Sequence, residues 1–315
     1  MLNQMLYYII VLPLSKLPLW LLYIIFYPIY LIIYHIIGYR KGVVYKNVRN
    51  AFPEKTPKDQ AEIVTKFYRH LAKMIAESIK NISISQKELK RRVQVDNLEL
   101  MTTLFNKNQN VILLSSHFNN WELLITAQNL IFEHKAIGIG MPLSNSFWDK
   151  KLNARRERFG MHVVNSKNYK TVLDSYKDEP TATLVLGDQS PSNVENIFWT
   201  TFLNQSTAFY FGAEIMANQM EAAVVFASVH ELKKGHYNIK LDLITDDPKK
   251  TNYAEITSAY ISKLEQDIKN QPERWLWSHK RWKIEVPEQL DSVKLQHKQR
   301  FEKKFRSNQF ESTKI

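Results

Sequence analysis

An α/β fold, with helices layered on a mostly parallel sheet, is the class this sequence predicts, and three observations predict it. From residue 111 onward, strand-like runs alternate with apolar-periodic helical segments. The run Val111-Ile112-Leu113-Leu114 is continuously apolar, as a strand covered on both faces requires. Ala222–His230 and Tyr237–Ile244 alternate across Lys233-Lys234-Gly235, which reads as a hairpin giving the sheet an antiparallel edge.

The elements follow in order. Met5–Ile37 is almost wholly apolar, with Lys16 its only Lys, Arg, Asp or Glu. Leu17–Ile37 would span roughly 31 Å as a helix, enough to cross a bilayer core. Pro18 can sit in a first turn and Pro28 can kink the helix. A single span is expected, with an interfacial or re-entrant hairpin as the alternative. No basic n-region or small-residue cleavage site marks a signal peptide. Arg40, Lys41, Lys46 and Arg49 follow at once, so the positive-inside bias puts everything after residue 38 in the cytoplasm. Residues 42 to 110 read as mainly helical. Thr56-Pro57 starts a helix as cap and first residue, running through Ile63, Phe67 and Leu71 towards Ile79. Past the first strand come a strand over Ala136–Met141, a helix over Asn145–Phe159, a strand over Met161–Val164 and a helix over Tyr169–Lys177. Thr181–Gly187 is a strand, and Phe211–Met220 and Tyr253–Lys269 are helices. A basic tail from Lys294 to Arg306 is expected to be helical. The division is a membrane anchor over 1–38, one catalytic domain over 39–290 and a basic tail over 291–315.

Composition narrows the function classes. A net charge of +12 attracts anions, so nucleic acid, anionic lipid and acidic carrier proteins are candidate partners. With no cysteine there is no disulfide, thiol nucleophile or thiolate metal site.

Chemistry concentrates where the apolar strand breaks, at Ser115-Ser116-His117-Phe118-Asn119-Asn120-Trp121-Glu122. Open α/β sheets place their sites at such strand ends. A base there needs a partner to fix its tautomer, and a carboxylate does so. His117 and Glu122 are the candidate catalytic pair. On one continuous helix, residues five apart point about 140° apart. They meet only if His117 precedes the helix, with Asn119 as N-cap and Glu122 in its first turn. The structural alternatives are a capping-box glutamate and a strand-end histidine. His134, His162, His230 and His236 lack ligand spacing, so no metal is expected. The G-x-S-x-G elbow of serine hydrolases is missing. Asp188-Gln189 ends a second strand and can face the same crevice, although Asp-Gln-Ser-Pro is also good turn chemistry. Arg155, Arg156 and Arg158 could hold phosphate or an oxyanion, or simply solvate a helix C-terminus. Trp275, Trp277, His279, Arg281 and Trp282 interleave aromatic and basic groups. They could stack on nucleic acid or sit at lipid headgroups, and the apolar leader favours a membrane or acceptor surface. A Trp-rich packing edge is the structural alternative.

Together these residues resemble the lipid A biosynthesis (late) acyltransferase family, the lauroyl/myristoyl transferases. The match runs through Leu12-Pro13-Leu14, Tyr39-Arg40, Asn47–Glu54, Phe67–His70, Ser116–Glu122, Gly187-Asp188-Gln189 and Pro272–Trp282. The resemblance implies an αβα acyltransferase domain on a membrane anchor at the cytoplasmic face of the inner membrane. It implies an acyl thioester donor on acyl carrier protein or CoA, a lipid hydroxyl acceptor and no cofactor. His117 would take the acceptor proton, with Glu122 orienting it and Arg156 or a backbone amide holding the oxyanion. Monomeric action without nucleic acid is expected. Asn119-Asn120, where relatives often carry Gly-Asn, and the stretch Asn193–Phe209 depart from the family pattern. Other readings are transfer to an aminolipid or glycerophospholipid, and a non-catalytic membrane-tethered binder of anionic ligands.

Overall fold

The computed structural model describes residues 1–166, 168–176, 179–191 and 196–307. The α/β expectation holds. Among the described residues nine strands are formed: β1 (Val93–Asp96), β2 (Val111–Ser115), β3 (Lys135–Gly140), β4 (His162–Asn165), β5 (Thr181–Leu186), β6 (Ile197–Phe202), β7 (Gln205–Tyr210), β8 (Ala223–Lys233) and β9 (His236–Thr245). Seven make one sheet in the order β1-β9-β8-β2-β5-β3-β4. It is parallel throughout except between β8 and β9, the hairpin expected from their alternation.

The sheet is covered on both faces because its central strands are apolar at successive positions, which point to opposite sides. Ile112 and Leu114 of β2, with Val224 and Phe226 of β8, pack under Val64, Phe67 and Tyr260. Val111 and Leu113 point the other way, to Leu123, Leu124 and Leu104. Two cores on opposite sides of one parallel sheet make the αβα sandwich.

The Pro57–Ser83 helix begins as its sequence requires, with the Thr56 hydroxyl accepting from the Asp59 amide at 3.2 Å. A segment expected to be helical over Tyr169–Lys177 forms over Tyr169–Asp174, and Lys177 lies outside the described residues. The tail helix runs Leu290–Phe305 and docks through buried Phe301. The β6–β7 hairpin is a strand pair the sequence concealed. Its turn residues Leu203 and Asn204 both have positive φ, 47° and 63°. Leucine is rarely found there, so the usual Asn-Gly signal is absent. Asn193, where the departing stretch begins, lies outside the described residues.

The apolar leader folds as two helical stretches. The first runs from Leu2 to Lys16 through a π-helical turn. The chain then opens at Leu17 and Pro18, both extended. The second runs from Leu19 to Ile37, and it is long and apolar enough to cross a membrane. Pro18 therefore stands before this helix as its cap rather than in its first turn. Pro28 lies inside it, and the ladder widens to π-helix from Ile32, a few residues past the donor that proline lacks. Leu19, Leu22, Phe26, Tyr30 and Tyr34 are buried along one stripe, while Trp20, Ile24, Tyr27 and Leu31 are exposed on another. Leu19, Leu22 and Phe26 pack with Ala76 of the Pro57–Ser83 helix, and Tyr30 and Tyr34 join the main core.

The leader also reaches the catalytic side through a buried carboxylate. Glu77 accepts from the Tyr23 hydroxyl at 2.6 Å, the Tyr237 hydroxyl at 2.6 Å and the Asn120 amide at 2.5 Å. The β8–β9 turn closes on the same helix: a Cβ at Gly235, where φ is +72°, would lie 2.7 Å from Leu19 and 2.8 Å from the Tyr23 hydroxyl. Only glycine satisfies both the backbone and the contact.

Glu77→Ala should lower the unfolding free energy by about 3 kcal/mol or more, because it leaves the buried Tyr23 and Tyr237 hydroxyls and the Asn120 side-chain amide without their acceptor. Denaturant unfolding of the detergent-solubilised protein checks this, and a loss within about 0.5 kcal/mol, the range of surface substitutions, would contradict it.

Candidate active site

The site starts from strand register. β2 and β5 are parallel neighbours, with Ser115 opposite Leu186. Each chain therefore leaves the sheet at the same height, and Gly187 still donates to the Ser115 carbonyl at 3.2 Å. Two residues further along each strand stand His117 and Asp188. His117 Nδ1 lies 2.8 Å from Asp188 Oδ1, and the His117 backbone amide donates to Asp188 Oδ2 at 3.1 Å. The pairing with a carboxylate places the ring proton on Nδ1. The other ring nitrogen, Nε2, then carries a lone pair and lies 3.2 Å from the Gln189 side-chain amide nitrogen.

This corrects the partner expected for His117. Among the described residues no hydrogen bond joins Glu122 to His117. Glu122 is instead the target of two guanidiniums. Arg155 Nη2 donates to Oε2, and Arg156 donates to Oε1 at 2.5 Å and to Oε2 at 3.2 Å. Burial alone would raise the Glu122 carboxyl. The two arginines outweigh it and hold the group down at about 2. Arg155 and Arg156 are thus paired with Glu122 rather than left as solvated helix-end charges, and they tie the Ser146–Glu157 helix to the Trp121–Ile131 helix.

The cap is also displaced by one residue. Asn120, not Asn119, caps the Trp121–Ile131 helix, its side chain accepting from the Leu123 amide at 3.2 Å. Glu122 then falls at the second helical position, out of capping-box register. Asn119 stands in the left-handed region at φ 49° and its amide donates to the Val229 carbonyl at 2.9 Å. Asparagine tolerates that conformation and glycine suits it, which accounts for Asn119 at a position where glycine would serve.

The Trp-rich motif is not a surface. Trp275, Trp277 and Arg281 are almost completely buried, and His279 and Trp282 are half-buried. Trp275 Nε1 donates to Asp188 Oδ2 at 2.8 Å. Phe118 pairs with Trp275 across an isolated antiparallel bridge, and the Asn119 amide donates to the Arg274 carbonyl at 3.0 Å. His279 Nε2 accepts from the Ser190 amide at 3.0 Å, and burial pushes its pKa down to about 4. Arg281 donates to the Thr207 hydroxyl at 2.7 Å and stacks over the Phe209 ring at 4.0 Å. The motif therefore grips both loops that carry His117 and Asp188. Its aromatic composition suited either a lipid interface or a core, and only burial separates the two.

Asp188 is buried, which alone would raise its pKa. The adjacent His117, the Trp275 indole and the His117 amide reverse that and hold the carboxyl below its ordinary value. The arrangement is an ionised carboxylate, an oriented imidazole and an accessible Nε2, which is the equipment of a general base. No cluster of metal-ligating side chains occurs among the described residues.

A profile of the family described as "Bacterial lipid A biosynthesis acyltransferase" matches residues 1–284. The chain belongs to this family. It is an acyltransferase of the lipid A type. It is similar to the lipid A biosynthesis palmitoleoyltransferase of Escherichia coli (strain K12), with 21% identity over 249 residues that cover 78% of this chain and 79% of that protein. The similarity to the lipid A biosynthesis acyltransferase of Shigella flexneri has the same identity and coverage.

Two outcomes follow from the geometry. The folded-state value of the Glu122 carboxyl lies below the ordinary 4.5, so its stabilisation is complete above that pH and is lost as pH falls towards 2. Glu122→Gln should therefore be clearly less stable than the parent at neutral pH, and the gap in unfolding free energy should shrink as pH drops below about 4.5. A gap that stays constant with pH would contradict the pairing. Asn119→Gly keeps the backbone conformation and should lose only the hydrogen bond to Val229, whereas Asn119→Val, β-branched at positive φ, loses that bond as well and should melt several degrees below Asn119→Gly.

Proposed function

We propose that this acyltransferase moves a fatty acyl chain from a thioester, on acyl carrier protein or CoA, to a hydroxyl of a lipid A precursor at the cytoplasmic face of the inner membrane. The observation that carries the chemistry is the His117–Asp188 pair at the ends of two adjacent parallel strands. The acceptor hydroxyl takes the place of the Gln189 amide at His117 Nε2 and gives up its proton as its oxygen attacks the thioester carbonyl. The tetrahedral oxyanion collapses, the carbon–sulfur bond breaks, and the thiolate leaves with the proton from the imidazolium. Asp188 positions the ring and supports its transient charge. No acyl-enzyme is required, because a thiolate is a good leaving group.

Glu122 serves the same site indirectly, by holding Arg155 and Arg156 beside it. Arg156 remains partly accessible and is the candidate oxyanion donor, which a planar guanidinium suits. The exposed stripe Trp20, Ile24, Tyr27 and Leu31 supports membrane association, and the charge of +12 supports phosphorylated glycolipid and an acidic carrier as partners. The opposite stripe is packed on the Pro57–Ser83 helix, which carries Lys66, Arg69 and Lys73. That packing favours a leader lying along the interface over one that leaves the catalytic domain behind.

His117→Ala should reduce acyl transfer by about 10²–10⁴-fold in a purified assay with an acyl thioester and a lipid A precursor. Asp188→Asn should approach that loss, and Glu122→Gln should fall between it and the parent. Equal transfer by His117→Ala and the parent would refute the base assignment. Mass spectrometry of membrane lipids from a deletion strain should show one acyl chain missing from lipid A. A chain missing from an aminolipid or a glycerophospholipid instead would reassign the acceptor.

A further inference from the structure

A cavity of about 1000 Å³ lies away from His117, at the foot of the Leu19–Ile37 helix. None of His117, Glu122, Asp188 or the arginines beside Glu122 lines it. One wall is aromatic, from Trp20, Tyr23 and Tyr27 of the leader. The lining is also basic, from Lys16, Lys80, Arg91, Arg92 and Lys234, with Glu88 as the one carboxylate lining it among the described residues.

That carboxylate is already committed. Glu88 accepts from Arg92 Nη2 at 2.8 Å and Nε at 3.1 Å, and Lys80 stands 3.8 Å away. Arg92 also donates to the Gly235 carbonyl at 3.0 Å, and Lys80 to the Leu17 carbonyl at 3.1 Å. Lys234 lies over the Tyr23 ring at 4.2 Å. Lys16, Arg91 and Lys234 have no carboxylate partner among the described residues. The cavity thus holds three uncompensated cations beside an apolar wall. That wall continues up the leader as the exposed Ile24 and Leu31.

We propose that this cavity seats the phosphate of an anionic glycerophospholipid of the surrounding bilayer, with its acyl chains lying along the exposed face of the leader. Concave volume of this size fits one headgroup and its glycerol. Arginine and lysine meet a phosphodiester by charge-assisted hydrogen bonds. Tryptophan and tyrosine prefer the headgroup level of a membrane, and basic clusters beside apolar segments attract anionic lipid. An acceptor molecule undergoing transfer does not fit as well, because Tyr23, Glu77 and Asn120 form a hydrogen-bonded partition between the cavity and the start of the Trp121–Ile131 helix. The proposal rests on membrane association but not on the base chemistry of His117.

The test uses full-length protein in a neutral detergent, with native mass spectrometry of bound lipid. Phosphatidylglycerol should bind roughly tenfold or more tightly than phosphatidylcholine of the same chains. Lys16→Ala combined with Arg91→Ala should abolish that preference, with the melting temperature unchanged because both side chains are exposed. The charge-keeping pair Lys16→Arg and Arg91→Lys should retain it. Equal binding of the two lipids, or a preference that survives the double alanine variant, overturns the proposal. Displacement of phosphatidylglycerol by inorganic phosphate at constant ionic strength would show a free-phosphate site. Displacement by acyl carrier protein would show a protein dock, and either result also overturns it. Acyl transfer by the same preparations separates the two readings: lipid preference without transfer refutes the enzyme chemistry alone, and transfer without preference refutes the lipid seat alone.

Discussion

The buried carboxylate of Asp188 is the constraint that the rest of the site answers to. A carboxylate 2% exposed must be fully hydrogen-bonded or it would take up a proton. Its partners come from two distant parts of the chain: the His117 amide and ring from the end of β2, and the Trp275 indole from the C-terminal motif. Satisfying one charge therefore brings the catalytic loop and the last buried stretch of the domain into a single cluster. Trp275 in turn packs edge-on against Trp277 at 4.8 Å and against Phe202 at 5.8 Å, so the β6–β7 hairpin is held to the same cluster. Polar satisfaction and aromatic packing are one structure here.

A second charge cluster, Glu122 with Arg155 and Arg156, lies beside the first and has a different task. It binds two helices whose facing sides offer few apolar residues: the Ser146–Glu157 helix has no fully buried residue. Two carboxylates near one histidine thus divide the work. Asp188 pairs with the His117 ring, and Glu122 fixes the Arg155 and Arg156 guanidiniums. Each environment keeps its carboxylate ionised.

Much of the fold was legible in the sequence because its signals are local. The continuous apolar run at Val111, the alternation of β8 and β9 and the Thr56-Pro57 start all act over a few residues. His117 and Asp188 were both legible as residues at strand ends. Their pairing was not, because it depends on β2 and β5 being neighbours in the sheet, and strand order is not written in either segment. Glu122 stood closer in sequence and drew the pairing to itself. The same reason hid the place of the Trp motif. A tryptophan beside an arginine reads alike at a membrane surface and in a core, until the hydrogen bond from Trp275 to Asp188 shows which side of the protein it faces. The β6–β7 hairpin was hidden by its turn, where Leu203 is buried at positive φ against the preference of its residue type.

The two-faced leader bears on how the apolar surface of this enzyme could be reduced. Leu19, Leu22 and Phe26 belong to the protein's own interior, so cutting the chain after residue 38 would strip the cover from Ala76 and Ile79 and create a new sticky surface. The apolar residues that face outward are a different set, which includes Trp20, Ile24, Tyr27, Leu31 and Ile36. Polar replacements confined to that outward stripe would leave the packing of Leu19, Leu22 and Phe26 on Ala76 in place. Lowering that surface thus means repainting one side of the leader, not removing it.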